Sequence, residues 1–291
     1  MRIFVTGGTG FIGSAVVHDL IGAGHHVLGL ARSDQAVAAL AALGAEAHRG
    51  SLDDLDSLRS GLVAADGVIH LAFNNDFVDH VAAAAADLRA VEAMGLALAG
   101  SGKPFVVTSG TLRVASLGRP ATEEDRGPEG TPRGASEDAA IALAQRGVRS
   151  SAVRLAPCVH DATRQGLASR LSALAREKGV SAYVGDGANR WPAVHRLDAA
   201  RLFRLAVEAA PAGSRLHGAA EEGTPFRHIA EAIGRHLKLP VVSLSPDQAA
   251  THFGFFASTV SLDNPTSSAW TQTHLGWTPS GPSLIADIEA R

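Results

Sequence analysis

Three glycines, Gly7, Gly10 and Gly13, stand at three-residue intervals in TGGTGFIG (residues 6–13). Their spacing suits the holding of a pyrophosphate, because glycine permits a tight turn and lets the backbone approach the phosphates closely. Thr9, Phe11 and Ile12 share that turn, and N–H groups at a following helix start would face the anion, aided by the helix dipole. A site for NAD places a carboxylate about 20 residues after the glycines, where it accepts from the ribose 2′-hydroxyl. Here Ala31, Arg32 and Ser33 occupy that place. Arg32 is instead suited to a 2′-phosphate, so the expected cofactor is NADP. Two imidazoles, His160 and His195, titrate where proton transfer at neutral pH needs them, although each also fits a structural hydrogen-bonding role.

The glycine turn must be positioned by its flanks. IFV (3–5) is a short apolar run with β-favouring residues, SAVVHDLIGAG (14–24) has helical spacing, and HVLGLA (26–31) reads as a second buried strand. Strand, turn, helix, strand is a βαβ unit, which crosses over right-handed into a parallel sheet. The expectation is an α/β fold with a Rossmann-type doubly wound parallel sheet and a smaller C-terminal substrate-binding region. Residues 1–159 form the NADP-binding part. Residues 160–291 form mainly the substrate part, interleaved with the last sheet elements. TPFRHIAEAIGRHLKLP (224–240) reads as a helix with Thr224 as cap and Pro225 in its first turn. The 24 residues 113–136 are rich in Gly, Pro and charge without periodicity, which suits either a lid over the cofactor or disorder.

Bulk properties narrow the function. Hydrophobic residues make up 46% of 291, enough for a large core, and the net charge of −3 gives no reason to expect nucleic acid or an anionic membrane as partner. The one cysteine, Cys158, excludes an internal disulfide and reads as a small packing residue in a reducing compartment. The N-terminal apolar run is too short for a signal peptide or membrane span, so a cytoplasmic protein is expected. No metal-ligand spacing occurs.

The motifs together resemble the extended short-chain dehydrogenases/reductases, which include sugar-nucleotide epimerases and dehydratases. TGGTGFIG matches that family's TGxxGxxG turn, GVIHLAF (67–73) its fourth strand, FVVTSGT (105–111) its fifth, and VRLAPCVH (153–160) its sixth. YVGDGANRWPAVHRLDAARL (183–202) and LGWTP (275–279) resemble segments that follow. The resemblance implies cofactor contacts from Leu71, Ala72, Phe73, Thr108, Ala156 and Pro157. It also implies contacts from Ser51 and Leu52, with Ser51 standing where the family has an aspartate for the adenine amine. A homodimer through paired helices is common in that superfamily.

The same resemblance implies a serine, a tyrosine and a lysine four residues beyond it as the proton-transfer group. In TPRGASEDAA, Arg133 stands at the tyrosine position and Glu137 at the lysine position. The chain's one tyrosine, Tyr183, is followed four residues later by Gly187, so no Tyr-x-x-x-Lys exists in any register. Gly110 takes the serine's place, flanked by Ser109 and Thr111, whose hydroxyls with His160 are the catalytic candidates. Phe73, Phe77, Tyr183, Trp191 and Phe253 are the substrate-contact candidates, with Phe255 and Phe256 nearby. Three readings stay open. The first is an NADPH-dependent ketoreductase acting on a bulky aromatic ketone, like the ketoreductases of aromatic polyketide pathways that lack the dyad. It would take its proton from substrate or solvent. The others are an NADP(H)-sensing regulator without turnover and a sugar-nucleotide epimerase or dehydratase.

Overall fold

The computed structural model describes residues 1–74, 80–164 and 166–290, so the substrate-contact candidate Phe77 lies outside the described residues. Six strands follow one another through the first half: β1 (Arg2–Thr6), β2 (His26–Ala31), β3 (Glu46–Arg49), β4 (Gly67–His70), β5 (Pro104–Gly110) and β6 (Arg149–Leu155). With the strand Ser214–Gly218 they form a seven-stranded parallel sheet in the order 214–218, β6, β5, β4, β1, β2, β3. Helices cover both faces, so the central strands read as unbroken apolar runs. Ile3, Phe4 and Val5 of β1 are wholly buried.

Between the strands run α1 (Phe11–Gly22), α2 (Asp34–Ala42), α3 (Leu55–Val63), α4 (His80–Leu98) and α5 (Pro132–Ala142). The helix Arg196–Ala209 packs beside α1 on one face, through Val16, Leu20, Phe203 and Val207. On the other face α3, α4 and α5 bury Leu58, Met94 and Ala140 against Phe4 and Phe105. Strand order reverses between β1 and β4, and the crevice outside the carboxyl ends at such a point is where α/β sheets of this type take ligands.

Beyond β6 the chain builds a second core around Trp191, Phe226, Ile229 and Phe253. A three-stranded sheet (Glu221–Pro225, Arg190–His195, Cys158–His160) and a parallel pair (Ser181–Val184 with Val241–Leu244) support it. The helix Phe226–Leu237 begins later than its sequence suggests. Pro225, not Thr224, is its N-cap and supplies no side-chain cap bond, because residues 221–225 are drawn into a strand against Arg190–His195. The 113–136 stretch divides as well. Its last five residues open α5, and its middle is docked on the C-terminal segment. Ala121 N donates to Pro265 O and Ser267 N to Ala121 O, each at 2.8 Å. Buried Glu123 accepts from Thr271 N at 2.9 Å and from Thr271 Oγ1 at 2.6 Å.

Candidate active site

The glycine turn between β1 and α1 is glycine for two different reasons. Gly7 has φ +72°, and a Cβ there would lie 2.6 Å from Ala72 N, while one on Gly13 would meet Gly7 O at 2.0 Å. These two hold α1 against the ends of β1 and β4. Gly10 differs, since a Cβ would meet nothing nearer than Gly7 O at 3.3 Å. Packing therefore constrains Gly10 far less than Gly7 or Gly13, and the space above it is clear of other atoms. No side chain caps α1, its first turn carries no acid, and the N–H groups of Phe11, Ile12 and Gly13 find no partner among the described residues. Unpartnered N–H groups at a helix start fit an anion such as a pyrophosphate. Thr9 is exposed at the rim.

A buried relay fixes the segment that follows β4. Ala72 N donates to Thr6 Oγ1 at 3.2 Å, which directs the Thr6 hydroxyl proton to His70 Nδ1 at 2.7 Å. His70 Nε2 then donates to Asp87 Oδ1 at 3.1 Å. Burial opposes charge on Asp87, but the bond from His70 and the nearby charge of Arg133 hold its carboxyl below the usual range. Leu71, Ala72 and Phe73 are thus held half-buried at the sheet's carboxyl edge, and Thr108 Oγ1 ties β5 to it by donating to His70 O at 2.8 Å.

After β2, Ser33 caps α2, accepting from Ala36 N at 3.2 Å. Arg32 is exposed with no hydrogen bond or ion pair among the described residues. The one acid beside it, Asp34, is paired with Arg49. Ser51 is half-buried with its N–H on Ser57 Oγ at 3.3 Å, and Leu52 packs on the core. Near β6, Ala156 N donates to Gly218 O at 3.1 Å and Pro157 O accepts from Leu167 N at 3.2 Å.

The positions where a tyrosine and lysine would stand lie one turn apart on α5. Glu137 is sealed from solvent with Arg154 of β6, which is also wholly buried. Arg154 grips it from two nitrogens, Nη2 to Oε1 at 2.6 Å and Nε to Oε2 at 3.0 Å. Arg215 Nε adds a bond to Oε1 at 3.1 Å. Burial alone would raise the Glu137 carboxyl. The arginines and the Ser109 hydroxyl overcome that and hold it below its ordinary value, so it stays an anion and is no proton donor. Ser109 spends its proton in the same group, donating to Glu137 Oε2 at 2.5 Å. Thr111 is fully buried and accepts from Asn264 Nδ2 at 2.9 Å.

His160 is fully buried too, with Nδ1 against Asp287 Oδ2 at 2.7 Å and its ring 5.7 Å from that of His195. Burial lowers its pKa despite Asp287 and Glu221. His195 caps the helix Arg196–Ala209. Cys158 is buried and its thiol is pushed up to about 12, which leaves it protonated and unreactive at neutral pH.

Among the aromatic candidates, Trp191 and Phe253 come together. With Leu167, Leu171, Phe255 and Phe256 they line an apolar groove of about 370 Å³. Tyr183 is elsewhere, its ring under Arg227 at 5.7 Å. Phe73 lies at the sheet edge, with the Arg133 guanidinium 3.5 Å above its ring centre. The Arg154–Glu137 pair and the Thr6–His70–Asp87 relay escape a reading by motif. One signal for the first was present: an arginine inside the apolar run SAVRLA (151–156) must find a buried anion.

Cradle, relay and sheet order together define a dinucleotide-binding α/β protein. The chain belongs to the NAD dependent epimerase/dehydratase family, whose model matches residues 3–217. It is 47% identical over 289 residues to an uncharacterised protein of Schizosaccharomyces pombe, covering 99% of this chain and 98% of that one. It is 28% identical over 232 residues to a 2-alkyl-3-oxoalkanoate reductase of Stenotrophomonas maltophilia, covering 76% of this chain and 69% of that one. The structure of a dTDP-glucose 4,6-dehydratase from Streptomyces venezuelae with NAD bound superposes with a TM-score of 0.77 at 19% identity, over all of this chain and 95% of that one. That likeness is one of fold.

Proposed function

We propose that this chain is an NADPH-dependent carbonyl reductase for bulky apolar, aromatic ketones, taking its proton from the substrate or solvent. One observation carries the reading: an open dinucleotide cradle adjoins a site whose lysine position holds a locked carboxylate. Hydride transfer can proceed without a protein base, whereas epimerising or dehydrating a sugar requires proton abstraction. The family supplies pyridine-nucleotide chemistry, and the similarity to an oxoalkanoate reductase supports reduction.

In this reading Phe11, Ile12 and Gly13 bind the pyrophosphate through their N–H groups. Arg32 and Ser33 take the 2′-phosphate, and the Thr6–His70–Asp87 relay keeps residues 71–73 in place as cofactor contacts. When bound, the dihydronicotinamide supplies hydride to the carbonyl carbon. The displaced electron pair goes to the carbonyl oxygen, which then collects a proton from a neighbouring substrate phenol or from water. Trp191 and Phe253 suit an apolar substrate body rather than a sugar diphosphate.

The test is NADPH oxidation by pure protein with matched aromatic ketones, with and without a phenol beside the carbonyl. Turnover of the phenolic set alone fits substrate-assisted protonation, and turnover of both fits protonation by water. Tight NADPH binding with no oxidation of it overturns the reading in favour of a cofactor sensor. The commitment of the Ser109 proton to Glu137 favours that second reading.

A further inference from the structure

We infer that Arg133 is a receptor for a substrate carboxylate, which makes the natural substrate an oxo acid. The inference rests on the reductase reading for apolar ketones, and it makes the carboxylate beside the carbonyl, not an aromatic body, the feature that selects the substrate. Arg133 sits in the first turn of α5, one turn before Glu137, and Glu137 reaches Ser109 at the carboxyl end of β5. The guanidinium carbon lies over the Phe73 ring, 3.5 Å from its centre. Phe73 in turn follows Ala72, whose backbone packs on Gly7 of the dinucleotide turn. The cation therefore stands at the carboxyl edge of the sheet beside the cofactor cradle.

Arg133 makes no hydrogen bond or ion pair among the described residues, yet it is half-buried. The nearby acid, Asp87, acts on it only through its field and is already bonded by His70. A partly desolvated guanidinium whose donors find no partner among the described residues favours an anion from outside. Its stacked, planar fork matches the two oxygens of a carboxylate. Glu137 cannot serve, since Arg154 and Arg215 hold it. The chemistry that answers this geometry is an apolar chain bearing a carboxylate close to a reducible carbonyl.

The test compares NADPH oxidation with 3-oxodecanoate and with its neutral N-methylamide, using the intact protein and its Arg133→Gln and Arg133→Lys variants. The wild type is expected to prefer the acid by about 100-fold in kcat/KM, within the range of losing one partner of a desolvated charge pair. That ratio should collapse toward one in Arg133→Gln and keep part of its value in Arg133→Lys. Decanoate, which has no ketone to reduce, should quench the fluorescence of NADPH-loaded wild type with at least about 10-fold tighter binding than Arg133→Gln shows. If nothing is reduced but decanoate still discriminates, the reductase reading fails and the carboxylate receptor stands. Equal use of acid and amide by the wild type overturns the inference without any variant. So does loss of NADPH affinity in folded Arg133→Gln, because a cofactor contact then accounts for the cation.

Discussion

Glu137 shows how a single buried side chain can tie a fold together. At the place where a lysine would sharpen a phenol's acidity stands a carboxylate, and Arg154, Arg113 and Arg215 surround it. Removing its charge would strand Arg154, which has no exposed surface. Glu137→Gln is therefore expected to cost about 3–5 kcal/mol at neutral pH, the usual penalty for breaking a buried pair from one side. The sign with pH follows from the lowered folded value. The unfolded carboxyl titrates near its ordinary 4.5. Its stabilisation is complete above that pH and is lost as the pH falls through the lower folded value. Urea unfolding at pH 7 and again near pH 3.5 should show the wild type losing its advantage over Glu137→Gln, while an advantage unchanged at the lower pH contradicts the assignment. The lack of a Tyr-x-x-x-Lys was legible in the sequence because it is a local pattern. The arginine that locks Glu137 was not, since Arg154 lies 17 residues on in another element and only packing brings the two together.

At the scale of elements, the turn between β1 and α1 separates packing from binding. A Cβ on Gly13 would overlap Gly7 O and force α1 away from the strand, at about 1–3 kcal/mol for overpacking. A Cβ on Gly10 would meet only Gly7 O, at a tight 3.3 Å, and its φ of −75° suits any residue. Gly10→Ala should thus leave the melting temperature within about 2 °C of the parent while weakening NADPH binding about 10-fold or more. Gly13→Ala should lower both. Thermal melts and cofactor titrations of the two variants check this, and equal loss of stability in both would show that the open space above Gly10 is not a ligand's. The βαβ unit was readable because strand and helix announce themselves by period, and the glycines by spacing. The start of the helix Phe226–Leu237 was not. Residues 221–225 pair with a strand about 30 residues earlier, and that pairing overrides local capping preference.

At the scale of the molecule, parts distant in sequence are joined into one fold. The sheet's edge strand Ser214–Gly218 joins β6 from the second half, and residues 116–123 are held by 263–271. A lid-or-disorder choice made from composition alone misses this docking, because its partners are backbone groups some 140 residues away with no signature. Cofactor binding should consequently stabilise the whole fold. Ligand at 100 times its Kd adds about 2.7 kcal/mol, which for a chain of this size raises the melting temperature by about 5 °C or more. Arg32 is exposed and unpaired among the described residues and its acidic neighbour Asp34 is matched by Arg49, so the rise should be several degrees larger with NADPH than with equimolar NADH. Arg32→Ala should bring the two rises together by shrinking the NADPH effect, since only the 2′-phosphate distinguishes the cofactors. Equal rises in the wild type would make Arg32 a solvated surface residue. A larger rise with NADH would move the ribose contact to another group, for which Ser33 and Ser51 are the hydroxyls at hand.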